Sequence, residues 1–467
     1  MPIFTCGFNG FSQVCHSTPS AEVDGHSTAA KDFIATPLFI YQRHLARGNT
    51  AVEVKLTDIK CDSKSVDSVD CVEIKKIREE AREQHIEGDC TNVLQLKEAV
   101  ISWDRIYYVW ENGKVTTKGS PLYCVDKKLD IINNPFEDFR LQSLCCAKQS
   151  IFGVDTDGNS IVFCENNGAV PLQLNKSEEV QCHLNASVVA IFACESGSVV
   201  LLRDDRHISF GELQGGNCIL LHPLNFDLCV RSVSCGKHHA LLLSVIGVIF
   251  SFGNGSQGQL GHGTIASETE PRALEALEGI TVVQVAAGGW HSMALSDIGD
   301  TYIWGWNEKG QLGLPCRNLR YPETDLSSDQ YSLDTATTHG TFSEHSSQAY
   351  GSTITFAGTP GTVKKYDADR LSKESLVNIQ PFPVVLDFPL VDVNDVFVAK
   401  IAAGSRHSVA VLEDGRAFSW GCNDYGQLGH GDTISRDYPE LVSFFHAQGL
   451  SVDTVFSGFW NTVFLTR

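Results

Sequence analysis

Three observations predict an all-β fold, and specifically a seven-bladed β-propeller: a motif frame repeated without gaps, a large excess of Gly over Met, and one further repeat divided between the two ends of the chain. Forty Gly stand against two Met in 467 residues. Gly serves tight turns and strand bends while Met is a good helix former, so this balance leans toward strands. Apolar residues at 42% and charged residues at 20% are globular values, which excludes a wholly disordered chain.

The frame itself is read by self-comparison. One copy runs from Gly236 through His239, Phe252 and Gly253 to Gly258-Gln259-Leu260-Gly261. A second runs from Gly288 through His291, Trp304 and Gly305 to Gly310-Gln311-Leu312-Gly313, and a third from Gly404 through His407, Trp420 and Gly421 to Gly426-Gln427-Leu428-Gly429. In each the His falls three residues after the first Gly, the aromatic sixteen after, and Gly-Gln-Leu-Gly begins twenty-two after. Short apolar runs separated by Gly turns, such as Val282 to Ala287, His291 to Leu295 and Thr301 to Trp304, read as β-meanders. Pro271, Pro383 and Pro439 are expected at the start of edge strands, where Pro is tolerated.

Upstream the frame decays. Ala193 to Gly211 fits with Gly197 in the His position and Phe210-Gly211 as the aromatic-Gly pair. Ala147 to Cys164 fits with Phe163-Cys164 at its end, and Ser102 to Gly119 fits more weakly. The seventh unit is split. Val455 to Thr462 opens a repeat with Asn461 in the His position, and Phe4-Thr5-Cys6-Gly7 supplies the closing half. A ring whose last blade is closed by both termini removes a sheet edge that would otherwise stay unpaired. Setting aside the non-matching stretches 16–97 and 316–379 leaves about 46 residues per unit, the size of a propeller blade. Residues 1–467 therefore read as a single domain with two interruptions. Of these, 16–97 is expected to be partly helical, with a short charged helix over Glu73 to Gln84, and 316–379 is a Ser/Thr-rich loop expected to be disordered.

The segment Ala286 to Pro315 and its counterparts at 233–261 and 398–431 resemble the regulator-of-chromosome-condensation family of seven-bladed propellers. The resemblance is strong over 225–315 and 380–467 and weak over 98–215. It implies a non-catalytic protein-interaction scaffold. In a small animal member of the family it further implies a chromatin-linked role, with association to a Jumonji-C dioxygenase, contact with histone or chromatin proteins, and a part in chromosome segregation. The founding member implies an alternative, guanine-nucleotide exchange on a small GTPase. The β-wedge and basic tail that such a role uses are not recognisable in this chain.

His239, His291 and His407 recur once per unit, so they read as scaffold groups that satisfy buried hydrogen bonds rather than as a catalytic set. Phe252, Trp304 and Trp420 read as packing residues, and Gly236, Gly253, Gly288, Gly305, Gly404 and Gly421 as close approaches or turns. Gly253-Asn254-Gly255-Ser256-Gln257-Gly258 matches a dinucleotide fingerprint in form only, since the equivalent positions read Gly305-Trp306-Asn307 and Gly421-Cys422-Asn423 and no helix is expected to follow. The informative positions are those the frame leaves free. Between the repeated Gly and His stand Lys237-His238, Gly289-Trp290, Ser405-Arg406 and Phe459-Trp460. The family resemblance places these turns on one face of the disc. Trp and Arg are the usual anchors of protein interfaces, so Trp290, Arg406, Trp460, Lys237 and His238 are the expected partner-binding residues.

A net charge of −20 opposes a sequence-independent grip on DNA or on anionic membrane. No sequence-specific nucleic-acid contact and no membrane association are expected. Sixteen Cys behind a start with neither basic nor apolar signal region suggest free thiols in a reducing compartment, nuclear and/or cytoplasmic rather than secreted. No Cys-x-x-Cys and no His-Glu-x-x-His occurs. No metal, cofactor or catalytic residue is therefore expected, and the chain is expected to act as a monomer rather than as an enzyme subunit.

Overall fold

The computed structural model describes residues 3–8, 33–40, 96–102, 105–119, 139–147, 150–164, 168–176, 187–214, 217–222, 224, 226–320, 376–389 and 397–467. Its strands form seven small sheets, blades 1 to 7 in chain order. Blade 1 holds Leu96–Ile101, Arg105–Trp110 and Val115–Gly119. Blade 2 holds Leu141–Cys146, Ile151–Asp155, Ser160–Cys164 and Gly168–Pro171. Blade 3 holds Val188–Ala193, Ser198–Arg203, Ile208–Gln214 and Cys218–His222, and Gln173–Lys176 joins the last in parallel.

Blade 4 holds Val230–Cys235, His239–Ser244, Ile249–Gly253 and Glu268–Ala273. Blade 5 holds Val282–Ala287, His291–Ser296, Thr301–Trp306 and Ile379–Val385. Blade 6 holds Val398–Ala403, His407–Leu412, Ala417–Gly421 and Arg436–Leu441. Blade 7 closes the ring with Val452–Ser457, Asn461–Thr466, Ile3–Phe8 and Phe33–Ile40.

The closing blade takes the expected register. Ile3 pairs with Leu465 and Gly7 with Asn461, as Gly305 pairs with His291 in blade 5. Its outermost strand is a departure. Phe33–Ile40 lies inside the stretch 16–97 that does not match the repeat, yet it pairs with Ile3–Phe8, and the first strand of blade 1 already begins at Leu96. An outermost strand answers to one neighbour only, so it needs no repeat motif. The helix expected over 73–84 and the interior of the second interruption, 321–375, fall outside the described residues. At the root of that second interruption Arg317–Arg320 form a short helix. It is tied to blade 6 where the Cys316 amide and the Arg320 guanidinium both donate to Asp437 Oδ2 at 2.8 Å.

Two further expectations need correction. In blade 3 the turn after the first strand is one residue longer than elsewhere. The Cys194 amide donates to Ser198 O, where Gly236, Gly288 and Gly404 donate to the His three residues on. Ser198, not Gly197, therefore occupies the His position, and its partner across the sheet is Glu212. The aromatic-Gly pair is replaced by Gly211-Glu212 rather than by Phe210-Gly211. The prolines also lie inside the outer strands rather than at their starts. Pro271, Pro383 and Pro439 each sit in the bulge where the register of the outer strand shifts, a position that asks no N–H of the ladder.

The core is a set of inter-blade seams rather than one central mass. Met293, Leu295, Ile303, Val398, Ile401, Phe418 and Trp420 fill the seam between blades 5 and 6. Phe4, Val409, Val411, Phe445 and Phe464 fill that between blades 6 and 7. Between blades 2 and 3 the filling is almost purely aliphatic, with Val154, Val162, Ile191, Val199, Leu201 and Ile219 around Phe152. First strands of successive blades also touch one another around the axis, as where the Gln284 side chain donates to and accepts from the Ile401 backbone.

Candidate functional site on the turn face of the ring

The repeated residues first build a latch between neighbouring blades. His239 Nε2 lies 2.9 Å from Ser292 Oγ, His291 Nε2 2.9 Å from Ser408 Oγ, and His407 Nε2 3.0 Å from Thr462 Oγ1. In each case the hydroxyl belongs to the next blade and donates at 2.8 Å to a Gln carbonyl in the His's own blade: Gln259, Gln311 or Gln427. A hydroxyl whose proton goes to that carbonyl can only accept from the ring, which fixes the Nε2–H tautomer of each imidazole. The same Gln259 and Gln311 carbonyls accept the indole N–H of Trp304 at 2.8 Å and of Trp420 at 3.0 Å. At the closing seam Cys6 stands in the Trp position and its Sγ donates to Gln427 O at 3.3 Å. The Gln side chains hold their own loops, each Oε1 accepting the amide two residues earlier at 2.8 to 3.0 Å.

These groups are buried, with His239 at 1% and His291 and His407 at 0% exposure. Burial holds the pKa of all three rings down to about 3, helped at His239 by His238 and at His291 by His407. Buried neutral imidazoles with a fixed tautomer are suited to a structural part in each seam. The glycines have equally local reasons. Gly253, Gly305 and Gly421 take φ between +101° and +109°, and a Cβ there would strike the carbonyl of His238, Trp290 or Arg406 at 2.5 to 2.6 Å. Gly236, Gly288 and Gly404 lie against the imidazole of their own blade, so that a Cβ would overlap the ring.

The free turn residues lie on one face, edge to edge around the axis. Ser196 N donates to Lys237 O, Lys237 N to Gly289 O, Gly289 N to Ser405 O and Ser405 N to Phe459 O, a chain of backbone bonds that spans blades 3 to 7. On this ring the structure gathers Lys237, Trp290 and Arg406. Lys237 Nζ sits 4.0 Å above the Trp290 ring, and the Arg406 guanidinium 5.8 Å from it. Trp306 completes the group, edge-on to Trp290 at 5.4 Å and 79°, with Arg406 5.3 Å from its ring. Arg406 also pairs with Glu308 at 2.9 Å. All five are half-buried. Cations packed on indole faces fix both partners in place, at roughly 0.5–2 kcal/mol each.

Trp460 occupies a different position. It packs edge-on against Tyr425 at 5.4 Å and 72°, one turn further along the ring. His238 is exposed, and partial burial together with Lys237 lowers its pKa. Trp306 was missed among the expected site residues, although the signal was present. It follows the repeated Gly at a position where the other blades carry Asn254, Cys422 and Phe8, so the frame does not fix it either. Its amide donates to Trp290 O at 2.9 Å, as Asn254 and Cys422 donate to His238 O and Arg406 O, which sets it beside the turn.

A family model described as the regulator of chromosome condensation (RCC1) repeat matches residues 247–295 and 414–465, and a second of the same description matches 282–311 and 398–427. Over 240 residues the chain is 41% identical to RCC1 domain-containing protein 1 of Homo sapiens, covering 51% of this chain and 57% of that protein. It is 30% identical over 243 residues to the ultraviolet-B receptor UVR8 of Arabidopsis thaliana, covering 50% of this chain and 52% of the receptor. The chain spans about half the length of the curated relatives it matches. Among solved structures, human WBSCR16 superposes with a TM-score of 0.59 at 14% identity over the whole of both chains. Prp20p of Saccharomyces cerevisiae, whose structure was described with its binding to Gsp1p and histones, superposes at 0.55 and 17% identity over 79% of this chain and 82% of that one. These two likenesses establish the fold.

Proposed function

We propose that this RCC1-repeat propeller is a non-catalytic protein-interaction scaffold that holds a partner on its turn face. One observation carries the reading: Lys237, Trp290, Trp306 and Arg406 converge at positions the scaffold leaves free, where equivalent turns hold His238, Asn254 and Cys422. Half-buried indoles with fixed cations offer large contact area at little further entropy cost, as interface anchors do. The proposed role extends to a chromatin-linked version, in the nucleus and/or cytoplasm, with a Jumonji-C dioxygenase and histone proteins as the partners to try first and chromosome segregation as the process served. The fold likeness to Prp20p, whose structure was described with its binding to histones, supports the histone part.

Trp290→Ala with Arg406→Ala should abolish capture of such a partner in a pulldown, since truncating one anchor commonly removes about 2 kcal/mol or more of binding. The far-UV spectrum should stay near wild type, and the melt should fall by only a few degrees as the contacts of Trp290 and Arg406 with Lys237, Trp306 and Glu308 are lost. Capture by a folded double variant would move the working face elsewhere. The fold likeness to Prp20p, described as binding Gsp1p, favours a second reading as an exchange factor. A nucleotide-release assay on a small nuclear GTPase decides between the two, with acceleration by the wild type overturning the scaffold reading.

A further inference from the structure

The opposite face of the ring carries a different chemistry. There the turns between second and third strands meet the chain entering the next blade, and six of the nine large hydrophobics exposed among the described residues lie on it: Leu228, Val245, Ile246, Val248, Ile298 and Phe397. Ile246 and Ile298 are 72% and 62% exposed at the tips of the turns of blades 4 and 5. A chain of backbone hydrogen bonds joins these residues into one arc. Val245 N donates to Cys229 O, Val282 N to Gly247 O, Asp297 N to Thr281 O, Val398 N to Gly299 O and Glu413 N to Phe397 O. The tips are tight turns in which Gly247 and Gly299 hold φ of +84° and lie against Thr281 and Phe397.

Carboxylates predominate along the arc from blade 5 to blade 6. Exposed carboxylates of Asp227, Asp297, Glu413 and Asp414 flank it, with half-buried Asp300 beside them. Asp414 is neutralised by Arg416 at 2.6 Å and Asp227 faces His207 at 3.2 Å, while Asp297, Asp300 and Glu413 make no ion pair among the described residues. Arg206, at the turn of blade 3, and Arg231, three residues after Leu228, are exposed cations at the near end of the arc, so the carboxylates gather toward Ile298 and Phe397. Aliphatic tips flanked by carboxylates repel nucleic acid and anionic lipid. A second copy of the same arc would bring like charges together.

We propose that this arc, from Leu228 to Phe397, is a second docking surface, and that it takes a cationic amphipathic segment of a partner protein. The partner's apolar side chains would lie on Ile246, Ile298 and Phe397, and its Lys or Arg would reach Asp297, Asp300 and Glu413. Such a surface is independent of the turn face, so the ring can hold two partners on opposite sides.

The test uses the full chain and a fluorescein-labelled peptide with Leu at helical i, i+3, i+4, i+7 spacing and Lys elsewhere, read by anisotropy. The wild type should bind it. Ile246→Ser with Ile298→Ser, and separately Asp297→Lys with Glu413→Lys, should each weaken binding by roughly tenfold. These side chains are exposed, so the melts should hold. Trp290→Ala with Arg406→Ala should leave the affinity unchanged, which separates this surface from the turn face. Equal binding by the Ile→Ser variant, or equal binding of a peptide with Glu in place of Lys, overturns the proposal. Sedimentation showing a wild-type dimer that Ile246→Ser with Ile298→Ser dissolves would assign the arc to a second copy and likewise overturn it.

Discussion

Blades 4 to 7 and blades 1 to 3 reach the same architecture by different means, and the difference explains why one half of the ring is so much easier to read. The seams between blades 4 and 5, 5 and 6, and 6 and 7 are closed by a polar latch in which His, a Ser or Thr hydroxyl, and a Gln carbonyl must meet at 2.8 to 3.0 Å. The seams of the other half are closed by apolar packing, mostly aliphatic at Ile191, Val199 and Leu201 and joined by Tyr107 and Tyr108 at blade 1. At the junction of blades 3 and 4, Phe252 meets Phe210 edge-on at 5.4 Å, while Cys194 Sγ donates to His239 O at 3.6 Å. A hydrogen-bonded latch is directional and tolerates few residue types, whereas a packed seam tolerates any set of side chains of suitable volume. Polar latches leave a motif in the sequence, and aliphatic seams leave only composition.

The largest effect should come from opening the ring where the two halves join. Deleting residues 1–14 removes the strand that lies between Phe33–Ile40 and Asn461–Thr466, together with Phe4 and Cys6 from the closing seam. Loss of several kcal/mol and a fall in Tm on the order of 10 °C are expected, since a blade loses its third strand and exposes an edge. A melt equal to that of the full chain would mean that the ring does not depend on this strand.

The next effect separates the halves by pH. Each latch imidazole is held near 3 by burial, against about 6.5 in the unfolded chain. Between those values the unfolded chain binds more protons than the folded one, so the contribution is complete above about pH 6.5 and is lost as pH falls toward 3. From pH 7 to 5 each His should remove roughly 2 kcal/mol of stability. Urea unfolding across this range should show the slope, and His239→Gln or His407→Gln should each remove roughly 2 kcal/mol of the change, leaving the shares of the other latch rings and of His430, which burial holds at about 4. Blades 2 and 3 place Ser150 and Ser198 in the same position, so Ser150→Ala should leave the slope unchanged. A wild-type stability that does not change between pH 7 and 5 would contradict the buried neutral rings.

The frame was legible wherever a residue had one chemical duty. The spacing of Gly, His, aromatic and Gly-Gln-Leu-Gly located blades 4 to 6, and Phe4-Thr5-Cys6-Gly7 disclosed the closing strand, because Gly7 must take φ of +124° beside Asn461. The slip in blade 3 has a matching cause. With no imidazole to seat, its turn could lengthen by one residue and move every later position across the sheet. Phe33–Ile40 was hidden because it is the outermost strand of its sheet and pairs with Ile3–Phe8, a place that needs no repeat motif. Of the turn-face residues, Lys237, Trp290 and Arg406 were found by asking what the repeat leaves free. Trp306 escaped because it stands after the second repeated Gly, outside the turn between Gly and His where the free positions were sought, and Trp460 belongs with Tyr425 because the outer loop of blade 6 reaches it first.

The latch is what holds blades 4 to 7 to one another, and a double-mutant cycle across the seam of blades 5 and 6 tests it most directly. Ser408→Ala deletes a single oxygen, yet it leaves the His291 N–H and one bond to the Gln311 carbonyl unmade in a buried site; a loss of roughly 1–3 kcal/mol is expected. Leu201→Met, a change of shape at an aliphatic seam, should cost less than about 1.5 kcal/mol. His291→Ala alone should also cost roughly 1–3 kcal/mol. Because both side chains serve one hydrogen bond, the double variant should fall short of the sum of the singles by roughly 0.5–3 kcal/mol in urea unfolding. Singles that add to within about 0.3 kcal/mol would show that His291 and Ser408 act independently, and that the polar latch does not hold these blades together.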